Sequence, residues 1–144
     1  MIFWDASAII SLCIEEPHSK AAKSLIAEDS AIAAWWCSPI ECFSAFARLR
    51  REGALTLKEE HQVRQLLTTL SETWTEIKPG RDIRDIAARI LLLHPLRAAD
   101  SLQLAAAIVW AGKSPMRMRF VCLDRRLREA ASKEGFTVVP FETG

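Results

Sequence analysis

The chain has 144 residues, enough for a substantial hydrophobic core, and we expect a single domain over residues 1–144. Hydrophobic residues make up 50% of the chain and charged residues 26%, a balance that is typical of globular proteins and excludes a disordered one. The formal net charge of +1 excludes a general electrostatic attraction to nucleic acid, so any such binding must come from local basic clusters.

The four cysteines lack the C-x-x-C spacing of a zinc or redox motif, and we expect them to be reduced, small apolar residues. The longest uncharged run, residues 101–112, is shorter than the roughly 20 residues that a bilayer requires. No basic segment precedes an apolar stretch at the N-terminus. The sequence therefore predicts a cytoplasmic protein without a membrane segment.

The first predicted strand, residues 2–5, consists of three apolar residues followed by Asp5. An apolar run without polar alternation is typical of a central parallel strand that is covered by helices on both faces. Such a strand ends at the edge where open α/β sheets bind ligands, and a buried carboxylate there needs a partner or a metal. Alternatively, Asp5 caps the helix that starts near Ser7.

Helices and a strand alternate after Asp5. A short helix from Ala8 to about Cys13 is followed by a second helix with Pro17 in its first turn, and then by a strand from Ala31 to Trp35. This β-α-β arrangement predicts parallel strands joined by a right-handed connection.

The next helix begins with Ser38-Pro39-Ile40-Glu41, which has the pattern of a capping box. In this interpretation Ser38 is the N-cap and Glu41 is the third helical residue, so Glu41 has a complete structural explanation. The same geometry also places its carboxylate in the first turn of a helix that begins just beyond a strand.

The middle of the chain is predicted to contain two amphipathic helices and a strand. Residues Thr56 to Glu59 repeat the capping-box pattern, the strand runs from Trp74 to Ile77, and the second helix ends at His94-Pro95. Neither His61 nor His94 has a second histidine or cysteine at metal spacing, so we expect neither to be a zinc ligand.

Asp100 stands at the start of the most apolar helix. Residues 102–110 are apolar on all sides and rich in alanine, which predicts a buried helix. Asp100 is either an N-cap with Gln103 as its capping-box partner or a ligand at the mouth of this helix. Asp124 directly follows a predicted strand from Phe120 to Leu123, and a helix and a final strand from Phe136 to Val139 come after it.

Four acids thus fall where a strand or loop meets the start of a helix: Asp5, Glu41, Asp100 and Asp124. Parallel strands bring such junctions to one edge of the sheet. Converging carboxylates raise one another's pKa unless a divalent cation is present, and Mg²⁺ and Mn²⁺ favour carboxylate oxygens. The alternation of elements predicts an α/β protein, a three-layer α/β/α sandwich with a mostly parallel sheet of about five strands.

Four segments also have a familiar order and spacing: Asp5-Ala6-Ser7, Glu41 with Ser44-Ala45-Phe46-Ala47-Arg48-Leu49, Ala99-Asp100-Ser101-Leu102-Gln103-Leu104-Ala105, and Cys122-Leu123-Asp124-Arg125-Arg126-Leu127. In these segments the sequence resembles the PIN-domain ribonucleases, and within them the VapC-like toxins of bacterial and archaeal toxin–antitoxin pairs. The resemblance covers nearly the whole chain.

The resemblance implies a metal-dependent endoribonuclease that hydrolyses RNA phosphodiester bonds. In that family's pattern, Asp5, Glu41, Asp100 and Asp124 would hold Mg²⁺ or Mn²⁺, and the hydroxyl of Ser7 would support the metal site. The resemblance also implies a homodimer that is inhibited by a small VapB-like antitoxin wrapped over the active-site face.

Two other classes of protein share some of these sequence features. Enzymes of the haloacid-dehalogenase type phosphorylate an aspartate at the end of the first strand, but they require a second aspartate where this chain has Ser7. A non-catalytic PIN-fold module that binds RNA or protein is the other alternative. The presence of all four acids favours the nuclease over the binding module.

Overall fold

The computed structural model describes residues 1–141 and contains a five-stranded sheet with seven helices in that part of the chain. The strands are β1 (Ile2–Trp4), β2 (Ile32–Trp35), β3 (Thr75–Ile77), β4 (Arg119–Val121) and β5 (Thr137–Val139). The helices are α1 (Ala6–Cys13), α2 (Ser19–Glu28), α3 (Ser38–Arg51), α4 (Leu57–Ser71), α5 (Arg81–Leu93), α6 (Ala98–Trp110) and α7 (Arg125–Lys133).

The strands pair in the order β3-β2-β1-β4-β5, and every pairing is parallel. Phe3 on the central strand pairs with Ala33 on β2 and with Phe120 on β4. The chain moves outward from β1 through β2 to β3 and then returns to the other side of β1 as β4. This reversal creates a switch point between β1 and β4, which is where open α/β sheets bind ligands at the carboxyl ends of their strands.

Side chains on β1 alternate between two hydrophobic cores, one on each face of the sheet. Phe3 packs in the core that α5, α6 and α7 cover, whereas Ile2 and Trp4 pack in the core that α1, α2, α3 and α4 cover. All three side chains are fully buried. The predicted three-layer α/β/α sandwich is therefore confirmed, because helices cover both faces as the unbroken apolar run indicated.

Several predicted boundaries shift by a few residues. The second helix begins at Ser19, so Pro17 lies in the preceding turn and not in the first helical turn as predicted. The capping box at Thr56 and Glu59 is confirmed, with both of its hydrogen bonds present. The four cysteines are free thiols, and no helix within residues 1–141 is long and apolar enough to cross a membrane.

Candidate active site

Asp5 lies directly after the central strand and is 3% exposed. It is the N-cap of α1, and its Oδ1 accepts a hydrogen bond from the backbone N–H of Ala8 at 3.2 Å. The capping interpretation of Asp5 is thus correct as far as local structure goes. The cap does not use Oδ2, which accepts a hydrogen bond from the Cys122 thiol at 3.5 Å.

Ser7 connects Asp5 to the neighbouring strand. Its Oγ donates to Asp5 Oδ1 at 2.7 Å and accepts from the backbone N–H of Leu123 at 3.1 Å. Leu123 follows β4, so one hydroxyl links the carboxyl ends of β1 and β4. This is the switch point of the sheet, and the link fixes Asp5 at its edge.

Glu41 does not form the predicted capping box. Helix α3 begins at Ser38, its N-cap is Cys37, and no side chain caps it. Instead, the side chain of Gln103 donates from Nε2 to Glu41 Oε2 at 2.7 Å and to Ser38 Oγ at 3.0 Å. The local pattern was therefore misleading, because a residue of α6 takes both side chains that would have formed the box.

Asp100 is not a cap either. Helix α6 begins at Ala98, its N-cap is Arg97, and no side chain caps it. Asp100 is the third residue of this helix, and its predicted box partner Gln103 faces Glu41. The predicted box at Asp100 and Gln103 is therefore wrong.

Asp124 resembles Asp5 in its local role. It is the N-cap of α7, and its Oδ2 accepts from the backbone N–H of Leu127 at 2.9 Å. It follows β4 after two residues, at the same edge of the sheet as Asp5. Asp5 and Asp124 are thus N-caps, whereas Glu41 and Asp100 are not. Asp100 instead accepts a hydrogen bond from the backbone of Arg97, the N-cap of α6.

Burial and the charges of neighbouring acids disfavour the charged forms of Asp5, Glu41 and Asp100. Burial raises the pKa of Asp5 to about 6, and the charge of Asp100 adds to the increase against the hydrogen bonds from Ser7 and Ala8. Burial likewise raises the pKa of Glu41 to about 7, and the charges of Asp5 and Asp100 add to it while the bond from Gln103 opposes it.

The pKa of Asp100 is also raised, by burial and then by the charge of Asp124, while Arg97 opposes the increase. Asp100 therefore interacts electrostatically with each of the other three acids, Asp5, Glu41 and Asp124. Asp100 thus links the charges of the four acids, which we call the acidic cluster.

The donor set of this cluster fits a hard divalent cation by its chemistry. All four acids offer carboxylate oxygens, the ligands that Mg²⁺ and Mn²⁺ prefer. Cys122 is not a competing thiolate ligand, because burial raises the pKa of its thiol well above the usual range. Within residues 1–141, however, no three His, Cys, Asp or Glu side chains already stand as a group that could hold a metal ion.

Cavities elsewhere on the surface do not indicate a different site. One of about 760 Å³ lies beside α7 and β5, and one of about 610 Å³ lies between α3 and α4. Neither is lined by any of the four clustered acids. Interacting carboxylates with raised pKa values are typical of a functional site, whereas an open surface cavity is not by itself one.

A model of the PIN domain family matches residues 2–133. The chain belongs to the PIN domain family. Proteins of this family are typically nucleases that hydrolyse phosphodiester bonds, and they generally use a divalent metal. The family resemblance noted in the sequence is thereby confirmed.

Solved structures with the same fold include toxin components of toxin–antitoxin pairs. A VapC toxin of Mycobacterium tuberculosis, described as cleaving the sarcin–ricin loop, has a TM-score of 0.68 and 17% identity, with 95% of this chain and 97% of that chain covered. FitAcB of Neisseria gonorrhoeae has a TM-score of 0.67 and a toxin–antitoxin complex from Klebsiella pneumoniae has one of 0.66. Both are 16% identical to this PIN domain, with 97% of each chain covered. No curated protein matches the sequence significantly.

The sequence pattern assigned Gln103 to the wrong partner, since it bonds Ser38 and Glu41 of α3 and not Asp100. The signal was available, because Gln103 is a polar residue in the middle of a helix predicted to be buried on all sides. Buried amides are almost always hydrogen-bonded, so a partner on another element was to be expected.

Proposed function

We propose that this PIN domain is a metal-dependent endoribonuclease and the toxin of a toxin–antitoxin pair. Asp5, Glu41, Asp100 and Asp124 would be the ligands of Mg²⁺ or Mn²⁺, and Ser7 would hold Asp5 in place. The observation that supports this best is the interaction between the charges of the four acids, two of which are not N-caps.

The charge balance of the site supports a cation. Glu41 and Asp100 are partly buried beside other acids, and Arg97 is the one cation among the causes that shift the pKa values of Asp5, Glu41 and Asp100 within the described part of the chain. Like charges held together are unfavourable, and a divalent ion offsets this repulsion. The acids would then be ionised near neutral pH, as metal ligands must be.

The chain's own residues would bind and orient the reacting groups. The hydrogen bonds from Ser7 and Gln103 fix one oxygen each of Asp5 and Glu41. A divalent cation bound at this site would supply a Lewis acid that activates water and neutralises charge on the scissile phosphate. The buried thiol of Cys122 stays protonated, so we assign no covalent nucleophile.

RNA is the proposed substrate. One protein with this fold is described as a toxin that cleaves the sarcin–ricin loop, an RNA target. Arginines near the acids offer contacts for the phosphate backbone, including Arg97 before Asp100 and the pair Arg125 and Arg126 after Asp124. Because the net charge of the whole chain is only +1, these local cations would provide the attraction.

A small VapB-like antitoxin and a second copy of the chain are the proposed protein partners, in a cytoplasmic setting. Two proteins of this fold occur in complexes described as toxin–antitoxin complexes or as FitAB bound to DNA. On this chain, Trp36 is 51% exposed and Ile40 is 68% exposed, close in sequence to Glu41. Exposed apolar side chains of this size commonly mark protein interfaces. The double substitution of Trp36 and Ile40 by Ser should weaken antitoxin binding and leave RNA cleavage unchanged.

RNA cleavage by Asp5→Asn and Asp100→Asn variants tests the nuclease. Degradation of a structured RNA would be followed with Mg²⁺, with Mn²⁺ and with a chelator. Each variant should lose at least about 100-fold in rate, because loss of a ligand charge weakens both metal binding and catalysis. Asp82→Asn is the matched control, since Asp82 lies in the first turn of α5 and is exposed.

Two results would refute the proposal. The first is cleavage by both variants at the parent's rate, and the second is cleavage by the parent that survives complete chelation. A parent that binds RNA without cutting it under any metal condition would support the alternative, a non-catalytic PIN-fold module that binds RNA or protein.

A further inference from the structure

The side-chain amide of Gln103 is buried between α6 and α3 and is 1% exposed. Its Nε2 donates to Glu41 Oε2 at 2.7 Å and to Ser38 Oγ at 3.0 Å. An amide nitrogen carries two hydrogens, so these two bonds use its full donor capacity. The residue is therefore a fixed two-pronged donor that links the first turns of two helices.

The orientation of this amide follows from its partners. Its Oε1 is buried and has no hydrogen-bond partner among residues 1–141. The reversed amide would place this oxygen against the carboxylate of Glu41, so that two acceptors would face each other and the bond from Gln103 would be lost. Leaving one buried oxygen unsatisfied is the smaller loss, since a hydrogen bond to a charged carboxylate is stronger than a neutral one.

Glu41 depends on this contact for its position. Within the described residues, the bond from Gln103 is the only hydrogen bond that its carboxylate makes. Glu41 is not held by a capping box, and its side chain has three rotatable bonds. The charges of Asp5 and Asp100 push against it. Without an anchor, repulsion would turn the carboxylate away from the other acids.

We infer that Gln103 is a positioning residue that holds the Glu41 carboxylate in the orientation needed to bind a divalent cation with Asp5 and Asp100. The inference rests on the proposed function, because it takes the acidic cluster as a cation site. Ser38 is the second anchor, since it accepts the other N–H of the amide and so prevents it from rotating.

Metal affinity measured without RNA tests this role. Gln103→Met keeps the length of the side chain and removes the donor, and Mn²⁺ binding would be titrated by calorimetry. The dissociation constant for Mn²⁺ should rise 10-fold to 100-fold, as is typical when a partner that orients a ligand is removed. Gln62→Met is the matched control, because Gln62 is exposed on α4 and should leave the constant unchanged.

A double-mutant cycle with Glu41→Gln separates positioning from simple packing. If Gln103 acts through Glu41, Gln103→Met should weaken Mn²⁺ binding in the parent and cause no further weakening in the Glu41→Gln background. A purely structural role predicts a lower melting temperature with the same dissociation constant, or an equal effect in both backgrounds. Either of these results would overturn the inference.

Ser38→Ala provides a second route if Gln103→Met does not fold. It removes the other acceptor of the amide, leaves Glu41 unchanged, and should raise the Mn²⁺ dissociation constant at least about threefold. An unchanged constant would overturn the positioning role. If the parent itself binds no Mn²⁺, the proposed function fails. If the parent binds Mn²⁺ and cleaves RNA, but the variants have the same Mn²⁺ dissociation constant as the parent, only the role of Gln103 fails.

Discussion

Asp5→Asn should stabilise the metal-free protein at neutral pH. Burial raises the pKa of Asp5 from 3.8 to about 6 in the folded state. At pH 8 this difference corresponds to a penalty of about 3 kcal/mol on the free energy of unfolding. Asparagine carries no charge, and its side-chain oxygen can still accept from Ser7 and from the N–H of Ala8.

The sign of the pH dependence follows from the raised pKa of Asp5. Below pH 3.8 the carboxyl is protonated in both states and imposes no penalty; as pH rises through about 6, the unfolded state has already lost its proton and the folded state must follow. About half of the penalty, roughly 1.5 kcal/mol, is present at pH 5 and all of it at pH 8. The advantage of Asp5→Asn over the parent should therefore double between these two pH values.

Urea unfolding in the presence of a chelator measures this advantage at both pH values. Mn²⁺ at 100 times its dissociation constant should then stabilise the parent by about 2.7 kcal/mol and the variant by much less, which nearly closes the gap at pH 8. Two results would refute this account of Asp5 as a buried carboxylate whose charged form destabilises the fold. One is a variant that is less stable than the parent at pH 8 with chelator, and the other is a gain in stability that is independent of pH.

Two further predictions concern residues outside the acidic cluster. Thr56→Ala removes the cap that accepts from the N–H of Glu59, so the free energy of unfolding should fall by about 1 kcal/mol in urea while Mn²⁺ affinity stays constant. Burial opposes ionisation of Glu134, but the bonds from Arg89 and His94 prevail and lower its pKa, so its contribution is present at neutral pH and is lost as pH falls through the lowered pKa. Glu134→Gln should thus be less stable than the parent at pH 7, by about 1 kcal/mol, and thermal unfolding of the two should converge in acid.

The fold could be predicted largely from hydrophobic pattern. The unbroken apolar run of β1 indicated a strand covered on both faces, and the alternation of strands and helices indicated a parallel sheet, as the structure confirms. The strand order depends on which strand the chain returns to after β3, and no local pattern encodes that choice. The positions of Trp35 and Trp36 likewise differ, at 4% and 51% exposed, because neighbouring residues on a strand end face opposite sides.

Local capping patterns were a mixed guide to the site. The same spacing of a small polar residue and Glu or Gln appears at Thr56, Ser38 and Asp100, but the structure forms the box only at Thr56. At the other two positions Gln103 bonds across to α3, and such a tertiary partner outweighs a local one when it satisfies a buried carboxylate. A capping motif in the sequence therefore predicts where a helix starts better than it predicts which hydrogen bonds the side chains of the motif form.

Two of the four acids are N-caps and two are not, so Glu41 and Asp100 are the most informative positions for testing whether the site binds a metal. At Asp5 and Asp124 an acid serves its helix as a cap, so its presence alone does not require a metal. Neither Glu41 nor Asp100 is an N-cap, and the pKa values of both are raised, so a neutral residue at either position would remove repulsion. An amide of the same shape would still offer an oxygen to Gln103 or to the backbone of Arg97. An unfavourable charge without structural compensation is typical of a functional site.

Glu41→Gln and Asp100→Asn should therefore keep or raise the free energy of unfolding in chelator at pH 8 and still abolish RNA cleavage with Mg²⁺. For Glu41→Gln the new amide still offers an oxygen to Gln103, so the tie between α3 and α6 should survive. Urea unfolding and a cleavage assay on the same preparations would check both expectations. If instead each variant lost stability and activity in proportion, the two acids would be structural, because a loss of function would then follow from a loss of fold.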